Sequence, residues 1–284
     1  MEQTSQYPSQ GSTPPFALVF LFLPESTMSR LAALSTVLLL TLSAAACAPL
    51  GEKTAGEQGK MSFSYGGRGC VFGCGLDRSA LQGSMVTITA EGGAPEVRKS
   101  ARLAGAAVGT ISSSKESCRC DSETNGISQS GRSIEPTGSC VSGETKLCSV
   151  SIDLETKEAG DGQLEIIDPS GTVVDRVTVR VRPAARIDIT VKEGANEVGG
   201  VYEVKQGYKV KLESRVYDAA GSEAIFTRHG VSFDYADKTV VKPDSAVLIG
   251  STEVEDMIAD RPGETTVKVH APGAENVVRF RVVP

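Results

Sequence analysis

Alternating apolar and polar positions recur between residues 83 and 182. In 146–154 the even positions after Lys146 are apolar, in 176–182 the odd positions are apolar, and 83–90 alternates in the same way. Because successive side chains of a strand point to opposite faces, this pattern predicts strands with one buried face. No helical periodicity persists, so the sequence predicts an all-β protein.

A turn joins two of these strands. Asp168-Pro169-Ser170-Gly171 lies between the apolar segment 163–167 and the strand that follows Thr172. Proline presets the backbone at the second position of such a turn, and glycine suits the fourth. The segment is therefore predicted to be a hairpin.

The pattern is interrupted at Pro183-Ala184-Ala185, and a new set of strands follows. These strands are predicted at Arg186–Val191, Tyr208–Asp218, Val231–Tyr235, Ala246–Ile249, Thr265–His270 and Val277–Val283. Short strands at this spacing, separated by glycine and proline turns, are typical of β-sandwiches. The interruption therefore marks a boundary between two domains, residues 61–183 and 186–284.

Five motifs follow one another in the second domain: 204–207, 210–213, 216–222, 231–233 and 261–269. In this order they resemble the bacterial immunoglobulin-like domains of group two, with Phe233 where that family usually has tryptophan. The resemblance implies a structural and adhesive module without catalytic residues. The expected fold is all-β, with two tandem immunoglobulin-like β-sandwich domains, of which the first is disulfide-rich, after an N-terminal signal peptide.

An apolar run, 31–46, follows Met28-Ser29-Arg30 and ends directly before Cys47. This is the pattern of a signal peptide, predicted over 28–46. The segment 42–47 resembles the lipobox of bacterial lipoproteins, although Ala44 stands where that family prefers leucine. The resemblance implies that Cys47 becomes the lipidated first residue of the mature chain. The alternative is an ordinary secretory signal cut after Ala46.

The segments on either side of the signal have their own predictions. Residues 1–27 contain neither lysine nor arginine, so we expect an over-extended start, the alternative being a second hydrophobic segment too short to span a bilayer. Residues 47–60 are polar and contain glycine, and we expect them to be a flexible tether.

The number of cysteines agrees with an exported protein, in which cysteines are paired in disulfides. Without Cys47 there remain six cysteines, namely Cys70, Cys74, Cys118, Cys120, Cys140 and Cys148. An even number in an exported protein predicts three disulfides, of which fifteen connectivities are possible. We expect Cys118 and Cys120 to bond with Cys140 and Cys148 in a nested arrangement, and Cys70 to bond with Cys74. A zinc site is the less favoured alternative, since the spacings repeat no zinc motif and no histidine is near.

Charge and motifs restrict the function classes. The net charge of −6 is spread without long runs of one sign, which argues against binding to nucleic acid. The two histidines, His229 and His270, are expected inside strands and lie in no catalytic motif. Of the acidic pairs, 234/237 are expected to be turn residues and 253/255 a solvated strand face. We expect no enzyme activity, no cofactor and no metal; the alternative is an exported hydrolase, or a hydrolase accessory domain, acting on glycan or peptide.

One charged feature remains. Arg176, Arg180 and Arg182 share a strand face, and Arg186 follows just beyond the domain boundary. They form a candidate binding stripe for phosphate groups or an acidic glycan, or else a solvated face. The function expected from the sequence is a non-catalytic binding, adhesive or scaffold lipoprotein of the bacterial envelope. Its lipid would hold it at the outer membrane or a periplasm-facing leaflet, where it meets envelope proteins or glycans.

Overall fold

The computed structural model describes residues 52–66, 73–105, 107–124, 127–129, 131–244 and 254–284, with the backbone alone at 123–124 and 127–129. Regular structure in these ranges consists of β-strands, and no helix in them is long and apolar enough to cross a membrane. The predicted signal peptide, residues 1–27 and the lipidation residue Cys47 lie outside the described ranges.

Two sheets form the first sandwich. Its strands are β1 (Thr54–Ala55), β2 (Met61–Gly66), β3 (Ala80–Leu81), β4 (Met85–Gly92), β5 (Ser100–Ala104), β6 (Gly109–Thr124), β7 (Ile127–Gln129), β8 (Ser133–Ile134), β9 (Glu144–Thr156), β10 (Gly160–Ile167) and β11 (Val173–Arg182). One sheet has the order β1-β2-β4-β9-β6-β7, with β8 also on β6, and the other has the order β3-β11-β10-β5.

The alternation seen in the sequence decides which side chains meet between these sheets. Val150, Ile152 and Leu154 of β9 are fully buried and pack in one cluster with Leu164 and Ile166 of β10. The predicted hairpin is present as β10 and β11, which pair antiparallel across the turn that starts at residue 168. Burial of one face of each sheet therefore supplies the main driving force for this sandwich.

The second sandwich is built in the same way. Its strands are β12 (Arg186–Glu193), β13 (Ala195–Val198), β14 (Val201–Lys205), β15 (Lys209–Tyr217), β16 (Ser232–Tyr235), β17 (Val241–Pro243), β18 (Val254–Ala259), β19 (Gly263–Ala271) and β20 (Ala274–Val283). Its sheets have the orders β12-β15-β18-β17 and β13-β14-β20-β19-β16, and Leu212 and Met257 pack against Val267 and Phe280 between them. The predicted strand at 246–249 lies outside the described residues.

The predicted all-β fold class is confirmed: the described residues form two tandem β-sandwiches, and the first contains disulfides. The first sandwich ends with β11 and the second begins with β12, so the predicted boundary at Pro183–Ala185 lies between them.

The segment assigned to a flexible tether, 47–60, is ordered at its C-terminal end. Thr54 and Ala55 form β1 against β2, and the next residues lie over the buried carboxylate of Asp175. That carboxylate accepts hydrogen bonds from the backbone N–H groups of Gln58, Lys60 and Met61 at 2.7–2.9 Å. The expectation of a tether reaching residue 60 is therefore wrong for its last residues, because their backbone is bound by a distant side chain.

The two sandwiches meet through a short exchange of backbone hydrogen bonds. Ala80 forms a parallel bridge with Ile225, and Met85 forms an antiparallel bridge with Arg228. Leu81 belongs to the first sandwich in the chain, but its side chain is fully buried among residues of the second sandwich, including Phe226. Backbone bonds and apolar burial together make this junction a packed interface, not a simple linker.

A side-chain hydrogen bond reinforces the junction. Ser79 Oγ of the first sandwich donates to Asp218 Oδ2 of the second at 2.8 Å. The other oxygen of Asp218 accepts the N–H groups of Ala220 and Ser222, so the carboxylate also holds the turn after β15. His229 lies next to this junction in a bend with φ 63°, which corrects the expectation that it is inside a strand.

Candidate functional site

A long antiparallel arm extends one sheet of the first sandwich. β6 and β9 pair from Gly109 opposite Thr156 to Ser122 opposite Glu144, whereas β4 covers β9 only as far as Ser149. The end of the arm, residues 118–122 with 144–148, therefore extends beyond β4, the next strand of the sheet. Its side chains there are largely polar, so the apolar core does not hold this part in place.

Two nested disulfides fix the arm. Cys118 and Cys148 lie directly opposite each other on β6 and β9 and are bonded, with their Cα atoms 4.1 Å apart. Cys120 bonds Cys140, which ties the intervening loop back to β6 across a separation of 20 residues. This is the nested arrangement expected from the sequence. Cys74 is also disulfide-bonded, and its expected partner, Cys70, lies outside the described residues.

Loop 131–143, which the second disulfide ties to β6 through Cys140, runs along the outer edge of β6. Its strand β8 pairs with β6 at Cys118 and Arg119, and Cys120 N donates to Arg132 O at 3.1 Å. Lys146 Nζ donates to Pro136 O at 2.5 Å from the facing strand. These bonds give a polar loop a defined position, as is typical of binding loops on rigid sandwiches.

A buried ion pair lies beneath the arm. Lys99 Nζ is 3.5 Å from Glu116 Oε1, and the two side chains are only 1% and 7% exposed. The ammonium group also donates to Ala94 O at 2.8 Å and Val97 O at 3.0 Å, and Glu116 Oε2 accepts the N–H of Lys99 at 3.2 Å. Removal of either partner would leave an uncompensated buried charge, so this pair fixes β6 against the segment before β5. This pair has no signal in the sequence, because no local motif links residues 17 positions apart.

Beside the arm lies a groove of about 720 Å³. Its charged and hydroxyl side chains include those of Glu91, Lys115, Ser117, Arg119, Glu135 and Ser149. Arg119 is already paired with Asp121 at 3.0 Å. The groove therefore offers hydroxyl groups and charges of both signs, a surface suited to a polar ligand.

A second cleft, of about 520 Å³, lies between the segment before β5 and the outer edge of β6. It is lined on one side by Arg98 and Ser100 and on the other by Ser114 and Lys115, with Glu135 of the disulfide loop at its end. Loop 131–143 thus lines both the groove and the cleft. Only the polar composition of β6 could have pointed to this cleft in the sequence.

Among the residues that the structure describes, two clusters bring cysteine sulfur and carboxylate oxygen within metal-binding distance of each other. They are Glu116 with Cys118 and Cys148, and Glu144 with Cys120 and Cys140. The sulfur atoms of both clusters are consumed in disulfides, whereas a metal requires thiolates. In this oxidised form the clusters therefore do not offer the sulfur ligands of a zinc site.

The arginine stripe is distributed over both sandwiches. Its residues are Arg176, Arg180 and Arg182 on β11 and Arg186 at the start of β12. Three of them form ion pairs, with Glu57 at 2.6 Å, Asp161 at 2.6 Å and Asp188 at 3.0 Å. Arg180 donates to the backbone oxygen of Asp77 at 3.1 Å. Carboxylates therefore interrupt the stripe, and its surface is mixed in charge.

The remaining candidates for catalysis or metal binding are separated. His270 Nε2 lies 3.0 Å from Asp234 Oδ2, whereas Asp237 accepts the N–H and hydroxyl of Thr239 in a turn. Glu255 accepts the hydroxyl of Tyr235 at 2.5 Å, and burial raises the pKa of its carboxyl. The expectation that Glu255 lies on a solvated face is wrong, because it points between the two sheets; Glu253 lies outside the described residues.

A scan against protein-family models and a search of curated proteins both find no match. Among solved structures, domains 4 and 5 of the S-layer protein SbsC are similar with a TM-score of 0.27 and 20% identity, covering 46% of this chain and 69% of that one. The Escherichia coli adhesin FdeC is similar with a TM-score of 0.29 and 16% identity, and the match covers 83% of this chain and 66% of FdeC. The Yersinia pseudotuberculosis adhesin InvE is similar with a TM-score of 0.29 and 10% identity, and the match covers 81% of this chain and 62% of InvE. TM-scores this low do not support an argument about function.

Proposed function

We propose that this protein is an exported, non-catalytic binding and scaffold lipoprotein of the bacterial envelope. Its lipid would be attached to Cys47, and its partner would be an envelope protein or glycan. The observation that carries the proposal is the disulfide-pinned arm, which holds loop 131–143 beside a polar groove of about 720 Å³. An ordered polar surface on a rigid sandwich is a common arrangement for binding.

The junction supports the scaffold part of the proposal. Leu81 is fully buried within the second sandwich, and Ile225 exchanges backbone hydrogen bonds with Ser79 and Leu81. A packed junction of this kind keeps the arm at a set position relative to the second sandwich. A protein that presents a binding surface away from a membrane would use such a rigid support.

The lipid anchor is tested by substitution. Cys47→Ser should move the protein from the membrane fraction to the soluble fraction, because acyl chains supply about 0.8 kcal/mol for each buried CH₂ group. Membranes would be washed with high salt before fractionation, which removes proteins held by charge alone. A Cys47→Ser protein that remains in the washed membranes would show that the anchor is elsewhere.

The binding surface is tested with the full chain carrying Cys47→Ser, immobilised and incubated with solubilised native envelope. We expect retention of an envelope component, and loss of that retention in the double variant Cys120→Ser/Cys140→Ser. The matched control is Arg180→Gln/Arg182→Gln, which alters the opposite sheet and should retain the component. Retention by the cysteine variant but not by the arginine variant would move the site to the arginine stripe. Turnover on glycan or peptide panels would contradict the non-catalytic assignment.

A further inference from the structure

The outer edge of β6 is only partly covered. On that edge β8 pairs with Cys118 and Arg119, and β7 pairs with Ser122 to Thr124. Within the part of the chain that the structure describes, no strand pairs with the same edge over 113–117. This stretch therefore presents a free strand edge of five residues, immediately before the disulfide-pinned part of the arm.

The backbone groups on this free edge can be assigned from the strand's periodicity. Cys120 N donates outward to Arg132 O, so the N–H groups of β6 at every second residue point to the outer edge. Ser114 and Glu116 share this direction, while the intervening residues face β9. Two residues thus direct N–H and C=O groups to the side where a further strand would pair.

The cleft of about 520 Å³ lies along this edge and carries an excess of positive charge. Arg98 and Lys115 are exposed and, within the described ranges, have no ion-pair partner. The pair of Lys99 and Glu116 is mutually neutralised, and Glu135 contributes the remaining negative charge of the lining. The lining is thus net positive in a chain whose overall charge is −6.

Two features of the edge disfavour pairing with a second copy of the same strand. β6 has a bulge between Ile111 and Ser113, and Lys115 lies in the middle of the free stretch. Bulges and edge lysines are devices that prevent like strands from pairing. The same lysine would attract a strand of opposite charge.

We propose that the free edge of β6, Ser113–Ser117, binds an extended acidic peptide segment of a partner protein, which adds to the sheet as a further strand. This inference rests on the proposed binding function and names the class of its partner. The backbone of Ser114 and Glu116 would supply the hydrogen bonds of the new strand pair. Arg98 and Lys115 would select acidic side chains, so the affinity should fall as salt concentration rises.

The test uses the full chain with Cys47→Ser and two labelled, end-capped nonapeptides, one alternating valine with glutamate and the other alternating valine with lysine. Fluorescence anisotropy should show binding of the glutamate peptide and at least tenfold weaker binding of the lysine peptide. Hydrogen exchange should show new protection at the amides of Ser114 and Glu116 in the complex. Protection confined to other residues would overturn the proposal.

Two variants separate the backbone from the side chain. Ser114→Pro removes an outward N–H without removing a bond to β9, and should weaken binding of the glutamate peptide at least tenfold. Ser114→Ala keeps the N–H and should bind like the parent chain. Equal binding by the proline variant and the parent would refute strand addition. If the proline variant fails to fold, Arg98→Glu/Lys115→Glu serves instead, and a failure to reverse the preference from the glutamate to the lysine peptide would be contrary to the proposal.

The outcomes also distinguish this inference from the function on which it rests. If the parent chain retains an envelope component but does not bind the glutamate peptide, strand addition is wrong and the binding function stands. If the parent chain retains nothing from the envelope, the proposed function itself fails. Sedimentation that shows a dimer of the parent and a monomer of Ser114→Pro would assign the edge to a second copy and overturn the acidic partner.

Discussion

Gly56 lies so close to the buried carboxylate of Asp175 that a Cβ atom at Gly56 would collide with it. The carboxylate accepts the N–H groups of Gln58, Lys60 and Met61, and also that of Arg176 at 2.8 Å. One acidic residue on β11 thereby fixes the chain segment that leads into β2. The point at which the folded domain begins is set by this contact.

Gly56→Ala should therefore destabilise the protein. The added methyl group must displace either the carboxylate or the segment that it binds, and overpacking of this kind costs about 1–3 kcal/mol. Urea unfolding followed by circular dichroism would measure the loss. The control is Gly66→Ala, where the nearest atom to an added Cβ is 3.8 Å away, and we expect a smaller effect there. Equal losses at both glycines would contradict the role of the Asp175 contact.

Asp175 should make stability depend on acid pH. Burial raises the pKa of its carboxyl, but four backbone hydrogen bonds outweigh burial and hold the pKa below its usual value. A carboxyl with a lowered native pKa stabilises the fold above its unfolded pKa of about 3.9, and this contribution is lost as pH falls through the native pKa. The free energy of unfolding should fall below about pH 4.

Asp175→Asn tests the same group at neutral pH. One oxygen becomes an NH₂ group facing two backbone donors, and buried donors without acceptors cost about 1–3 kcal/mol each. The expected loss is at least about 2 kcal/mol, with a shallower acid dependence than the parent. Asp168→Asn is the control, because Asp168 binds turn N–H groups in the same way but is partly exposed. A loss at Asp175 no larger than at Asp168 would rule out a special role for the buried carboxylate.

Removal of one disulfide should loosen the arm without unfolding the sandwich. Cys120→Ser/Cys140→Ser opens a loop with a sequence separation of 20, worth about 3 kcal/mol in the chain-entropy model. Hydrogen exchange should rise in 131–143 and remain slow in β9 from Val150 to Leu154. Slow exchange retained in 131–143 would mean that hydrogen bonds to β6 suffice to hold the loop.

Leu81 should couple the unfolding of the two sandwiches. It is fully buried in the cluster at their junction, and truncation of a buried leucine costs about 2–5 kcal/mol. Leu81→Ala should separate a single calorimetric transition into two, because the junction would no longer link the sandwiches. Leu154→Ala, inside the first core, should lower the stability of that sandwich while leaving the junction intact. Separate transitions already present in the parent chain would disprove the coupling.

Much of the fold could be predicted because it depends on a local pattern. The alternation in 146–154 and 176–182 indicates which face of β9 and β11 is buried, and the turn at residue 168 is specified by its own four residues. Neighbouring side chains of a strand point to opposite faces whatever the rest of the chain does. The positions of these strands and of this turn therefore follow from sequence order alone.

The candidate site could be predicted only in outline. The even number of cysteines indicated disulfides. The nested pairing of Cys118 and Cys120 with Cys140 and Cys148 was one of several possible connectivities. The pair of Lys99 and Glu116, and the cleft beside Lys115, carry no local signal. Their members come from different strands, and their proximity depends on how the sheets pack.

The sequence by itself determined the alternation within strands such as β9 and β11, the turn at residue 168 and the parity of the cysteines, because each can be read from the chain without knowledge of its packing. The tertiary structure decided that the last residues of the expected tether belong to the fold, that carboxylates interrupt the arginine stripe, and that no described strand pairs with the outer edge of β6 over 113–117. Those three properties depend on contacts between distant segments, such as Asp175 with Met61. Distant contacts form only when both sheets bury their apolar faces together.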